Sequence, residues 1–168
     1  MRTNEEKILF LNEHFHYEVS MMFKAFLFRI NINNPDKDYF SNIRLETFIF
    51  HARNLIEFYY SGDTNKKEKK KYEDDAWAVD FFIDKNTWYN LRPNIDAWKE
   101  KFFKRAGKEM AHLTYSRLDL NDVQKRWDVY EIVKPLKEAT ILFIDNIDEK
   151  YKTPRIKEFL EYMHNLIF

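Results

Sequence analysis

The chain has 168 residues, the size of one ordinary domain, and 45% of them are apolar and 18% aromatic, which is enough for a packed core and argues against disorder over most of its length. Lys and Arg total 28, as do Asp and Glu, so the formal net charge is zero. No whole-molecule field draws the chain onto nucleic acid or a membrane, although a local basic patch is compatible with the balance. The absence of cysteine excludes disulfides, thiolate zinc sites and cysteine nucleophiles, and two glycines with four prolines leave too few punctuators for a hairpin-rich fold, a P-loop or a dinucleotide fingerprint.

In chain order, residues 4 to 30 read as a first helix. Thr3 or Asn4 caps it, and Ile8, Leu11, Phe15, Val19, Met22, Phe23, Phe26 and Ile30 recur at helical spacing. The breakers in 31 to 38 end it. Residues 39 to 62 follow as a helix apolar around most of its circumference, including Phe40, Ile43, Phe48, Ile49, Ala52, Leu55, Ile56 and Tyr59, closed by Gly62. The charged run over 63 to 75 reads as a solvated mobile loop. Residues 76 to 92 lack helical periodicity but are rich in aromatics, so an ordered connection with a short helical turn is expected. Trp77, Phe81, Phe82, Trp88 and Tyr89 could supply an exposed aromatic patch there.

Pro93 and Asn94 open a third long helix to about Leu118, with Gly107 inside it at a cost of about 1 kcal/mol against alanine, a mark of close helix approach. Asn121 caps a fourth helix from Asp122 to Asn146, which Pro135 should kink or divide near Val133. Thr153 and Pro154 start the last helix as cap and first helical residue. The expectation is one domain over 1 to 168, an all-α bundle of about five helices with one aromatic-rich ordered connection. Charged residues interrupt every apolar run, so no membrane span is expected, and a cytoplasmic location fits.

The polar residues of the second helix divide into strips. Glu46, Arg53 and Glu57 share one, and His51 lies on another at the edge of the apolar face. Arg53 and Glu57, four apart, can pair, or Arg53 can stand ready for an anion with Asn54 and Glu57 orienting it. On the third helix, His112 shares a strip with Arg105, Glu109 and Ser116, and histidine is the side chain suited to proton transfer near neutral pH. Arg117 falls on the apolar face if the helix continues, where Asp80 or Glu57 could pair with it. His14 and Glu18 have metal-ligand spacing but are too few, and no metal or cofactor is expected.

The segments HARNLIEFYY and HLTYSR resemble small helical bacterial proteins, and HEPN is the nearest superfamily. The resemblance implies a helical bundle, often a homodimer, with a metal-independent RNA-cleaving site in defence or toxin–antitoxin systems. Its signature is an arginine, commonly followed by a polar residue, then a histidine after roughly four to six residues. Arg53 and Asn54 match the first half, and Phe58, Tyr59 and Tyr60 occupy the histidine window. Arg44 with His51 and Arg105 with His112 satisfy the spacing literally. On this reading Arg53 and His112 are the catalytic candidates, with Asn54, Glu57, Arg105 and Arg117 as binding residues. The alternative is a non-catalytic interaction bundle, an antitoxin, immunity or regulatory protein that binds a protein partner.

Overall fold

The structure, a computed structural model, describes residues 2–62, 72–111, 115–121 and 123–168. It is all-α, with no strand among the described residues. The first helical run comprises α1 (Asn4–Phe10), a π-helical turn (Leu11–Phe15) and α2 (His16–Leu27). Thr3 and Glu6 form a reciprocal capping box at its start, which satisfies two otherwise orphaned backbone donors. After the turns of 31 to 36 comes α3 (Lys37–Tyr60), antiparallel to α2 and its principal packing partner. Gly62 follows in the left-handed region, φ 84°, with Trp77 where a β-carbon would lie, so glycine is required there on two counts.

The aromatic-rich connection is ordered. It contains a 3-10 turn (Ala78–Phe81) and α4 (Lys85–Leu91), capped by Asp84. Its rings do not form a surface patch. Trp88, Phe81 and Val79 are buried, while Trp77, Phe82 and Tyr89 are half-buried. The cause is visible at Trp88, whose indole N–H donates to the Tyr59 carbonyl at 2.7 Å near the end of α3. That bond satisfies the one polar atom of a large ring and lets it enter the core.

Three expectations are corrected, two of boundaries and one of burial. First, α5 (Asp96–Ala106) passes into a second π turn (Gly107–Ala111) and does not continue to Leu118; Tyr115–Arg117 form a separate 3-10 turn. Gly107 sits in open space rather than at a close helix approach. Second, α6 (Val129–Asn146) begins at the Asp128 cap rather than at Asn121. Asn121 Oδ1 does accept from the Val123 and Gln124 amides, but the turn it makes ends before α6. Pro135, in the second turn of α6, leaves one continuous helix. Third, α3 buries its apolar residues only from Phe48 onward; Tyr39, Phe40, Ile43 and Phe50 are exposed. The last helix, α7 (Pro154–Asn165), starts as read, with Thr153 Oγ1 accepting from the Ile156 amide.

One apolar cluster joins these elements around Phe143 of α6, whose ring lies 5.1 Å from Phe15, 5.2 Å from Phe58 and 5.8 Å from Trp88. Such tilted and edge contacts are what aromatic quadrupoles favour. Tyr59 enters the same cluster because Thr140 accepts its hydroxyl at 2.8 Å and itself donates to the Leu136 carbonyl. Both hydroxyls are satisfied, and burial pushes the Tyr59 phenol well above its ordinary range. No described helix is long and apolar enough to cross a membrane.

Candidate functional site

Most of the candidate binding residues read from the sequence line one of two clefts. The first, about 750 Å³, lies between the start of α2 and the C-terminal half of α3. Arg53, Asn54 and Glu57 line it together with His14, Glu18 and Asp75. Arg53 pairs with Glu57 at 3.3 Å, the four-residue spacing acting as expected, and its guanidinium lies 5.9 Å from the Phe103 ring of α5. Glu57 pairs with Arg53, and two further carboxylates, Glu18 and Asp75, line the same cleft, so its lining is acidic as well as basic, which disfavours a phosphodiester. The proton carrier expected for Arg53, His112, lies outside the described residues. The histidine that does line this cleft is His14, on the first π turn.

Behind the cleft wall, Glu18 ties α2 to α3. His51 Nδ1–H donates to Glu18 Oε2 at 2.7 Å and Asn54 Nδ2 donates to the same oxygen at 3.1 Å. Burial pushes the Glu18 carboxyl up, but the hydrogen bonds from His51 and Asn54, with the charge of His51 and His14, outweigh it and leave its pKa lowered. His51 is 5% exposed, inside the protein rather than at its edge. Arg44 bonds instead to the Phe28 carbonyl at 3.1 Å, so Arg44 and His51 reach different parts of the preceding segment and form no joint site.

The second cleft, about 540 Å³, runs along α5 and the second π turn, with Arg117, Leu120, Val123, Gln124 and Arg126 on its other side. Lys101, Lys104, Arg105, Lys108, Arg117 and Arg126 line it, against one described acid, Glu109. Lys101, Lys104, Arg105 and Lys108, at i, i+3, i+4 and i+7, share one face that runs about two turns along α5 into the π turn as a basic stripe. Glu109 is held by Arg105 at 2.7 Å. No ion pair involves Lys101, Lys104 or Arg126 among the described residues.

Arg105 and Arg117 build the walls of this cleft. Arg105 also donates to the Arg126 carbonyl at 2.9 Å and the Gln124 carbonyl at 2.7 Å, and its guanidinium stacks 4.1 Å from the Trp127 ring centre. It thereby pins the segment before α6 against α5, a use of the planar fork that lysine could not replace. Arg117 meets neither Asp80 nor Glu57. Because the helix ends before it, its guanidinium turns back to the Lys108 and Glu109 carbonyls and caps the π turn. Glu46, expected beside Arg53, lines a smaller neighbouring cleft with Arg117, Lys125 and Trp127.

Sequence reasoning picked out Arg105 and Arg117 but not Lys101, Lys104, Lys108 and Arg126. The i, i+3, i+4, i+7 spacing of the α5 cations is the signal that would have found most of them. No family model, curated protein or solved structure matches the chain.

Proposed function

We propose that the protein binds RNA through the basic cleft of α5. The observation that carries this reading is the concentration of six cations against one described acid in a single concavity of a chain with no net charge. Phosphate oxygens are the ligand that such a row fits, because Lys and Arg neutralise them and release condensed counterions. The resemblance of HARNLIEFYY and HLTYSR to HEPN proteins points the same way, toward RNA. Its catalytic half has less support, since Glu57 occupies Arg53 and two further carboxylates, Glu18 and Asp75, share that cleft.

The test is fluorescence anisotropy with a labelled RNA over a salt series. Binding with a log–log salt slope of about −2 is expected, from roughly 0.7 per neutralised phosphate over Lys101, Lys104 and Arg126. Lys101→Glu with Lys104→Glu should weaken it at least tenfold and flatten the slope, at unchanged helicity by circular dichroism. Binding that ignores the double substitution, or binding to phosphatidylserine vesicles without RNA binding, sinks the proposal.

A second reading, docking to a protein partner or to a second copy, is favoured by one feature. Phe40, Ile43 and Phe50 lie three and seven residues apart on one exposed face of α3, beside exposed Tyr39. Silence in the RNA experiment leaves that reading in place.

A further inference from the structure

We infer that Arg105 is the positioning residue of this cleft: it acts on RNA through Arg126, which it holds across the cleft from Lys101 and Lys104, so that the phosphates are gripped from both walls; this rests on the RNA-binding reading above. Arg105 itself is spent on the protein. Its Nε donates to Glu109, and its two terminal nitrogens donate to the Arg126 and Gln124 carbonyls. Only 20% of its side chain is exposed, and Glu109 at 2.7 Å offsets its charge. A guanidinium so engaged would have to give up good hydrogen bonds to take a phosphate.

The cations left for a ligand are Lys101, Lys104 and Arg126, whose side chains make no hydrogen bond or ion pair among the described residues. The two lysines stand on α5, and the helix fixes them. Arg126 stands outside any helix, two residues before the Asp128 cap of α6. Local bonds shape its stretch of chain: the Lys125 amide donates to the Asn121 carbonyl and the Arg126 amide to the Val123 carbonyl. Those bonds fold the turn on itself. The Arg105 fork ties it to α5, taking the carbonyls on either side of Lys125 and stacking on Trp127, the residue after Arg126. Arg126 is thereby placed opposite the α5 lysines before a ligand arrives, which lowers the ordering cost of binding. Lysine at this position would keep the charge, but it is a point donor. It can neither span two carbonyls and a carboxylate nor stack flat on the indole.

The experiment is a double-mutant cycle on affinity for the labelled RNA, read over the same salt series. Arg126→Ala should weaken binding about fivefold, the upper range for one exposed charge pair. It should also move the salt slope from about −2 to about −1.4, two neutralised phosphates in place of three. Arg105→Lys, at unchanged net charge, should do the same, and adding Arg126→Ala to it should cost nothing more. Lys101→Ala should keep its full cost in the Arg105→Lys background, because α5 holds Lys101 without the fork. In the wild type, RNA should slow amide hydrogen exchange over residues 123 to 126, a readout that needs no variant. Wild-type affinity in Arg105→Lys, additive costs of Arg105→Lys and Arg126→Ala, equal coupling to Lys101, or unchanged exchange over 123 to 126 overturns the inference, while salt-dependent binding through Lys101 and Lys104 keeps the RNA reading. Failure of the RNA to bind overturns both.

Discussion

Glu18 shows how one carboxylate serves two helices. Its oxygen collects His51 and Asn54, which stand one turn apart on α3, so the three side chains fix the rotation of α2 against α3. The folded carboxyl has a lowered pKa, so its contribution to stability is complete above the ordinary glutamate range and drains away as pH falls through the lowered folded value. Glu18→Gln should therefore cost about 1.5–3 kcal/mol at pH 7, the worth of hydrogen bonds to a charged group. The difference from wild type should shrink as the pH falls through the lowered folded value, where the native carboxyl also takes up its proton. Urea unfolding of both proteins over a descending pH series reads the cost and its loss. The pair was hidden in the sequence because 33 residues separate Glu18 from His51. The four-residue spacing of Arg53 and Glu57, by contrast, was enough to foresee their contact.

Among the elements, the two π turns mark the departures from simple helical reading. Each leaves the hydrophobic spacing nearly intact, so periodicity alone does not reveal a turn with one extra residue. Each also sits at a cleft: the first carries His14, the second Lys108 and Glu109. The end of α5 and the start of α6 moved for related reasons. The pattern through Leu118 continued on paper, whereas Arg117 and Arg105 spend their guanidinium groups on carbonyls and hold that stretch as turns. Boundaries set by strong local chemistry, the Thr3 capping box, Gly62 and the Thr153–Pro154 start, fell where the residues indicated. Gly107 begins the second π turn with helical dihedrals and nothing within 4 Å of a built β-carbon. Gly107→Ala should then raise stability by roughly 0.4–1 kcal/mol through the unfolded chain's lost freedom, read as a higher urea midpoint. A lower midpoint would mean that the turn needs the bare backbone.

Over the whole molecule, composition spoke to class and stayed silent on placement. Few glycines and prolines with abundant aromatics implied an all-α core, and Phe143, Tyr59 and Trp88 form it. The N-terminal half of α3 escaped that reading because its apolar residues have helical spacing, yet Tyr39, Phe40 and Ile43 stay exposed. Net charge was equally uninformative about distribution. Zero is a sum, and the α5 cleft shows that a neutral chain can hold a strongly positive concavity when its acids lie elsewhere.

The stacking of Arg105 on Trp127 gives the cleft an optical signal of its own. Of the four tryptophans, Trp88 is sealed from water and should emit toward the blue, unmoved by anything at the surface. Trp127 is half-buried and lies directly beneath a guanidinium that lines the cleft. A polyanion drawing on Arg105 alters the charge above that indole, so titration with unlabelled RNA should change its emission intensity. Trp127→Phe should abolish most of that change while preserving the affinity measured with labelled RNA.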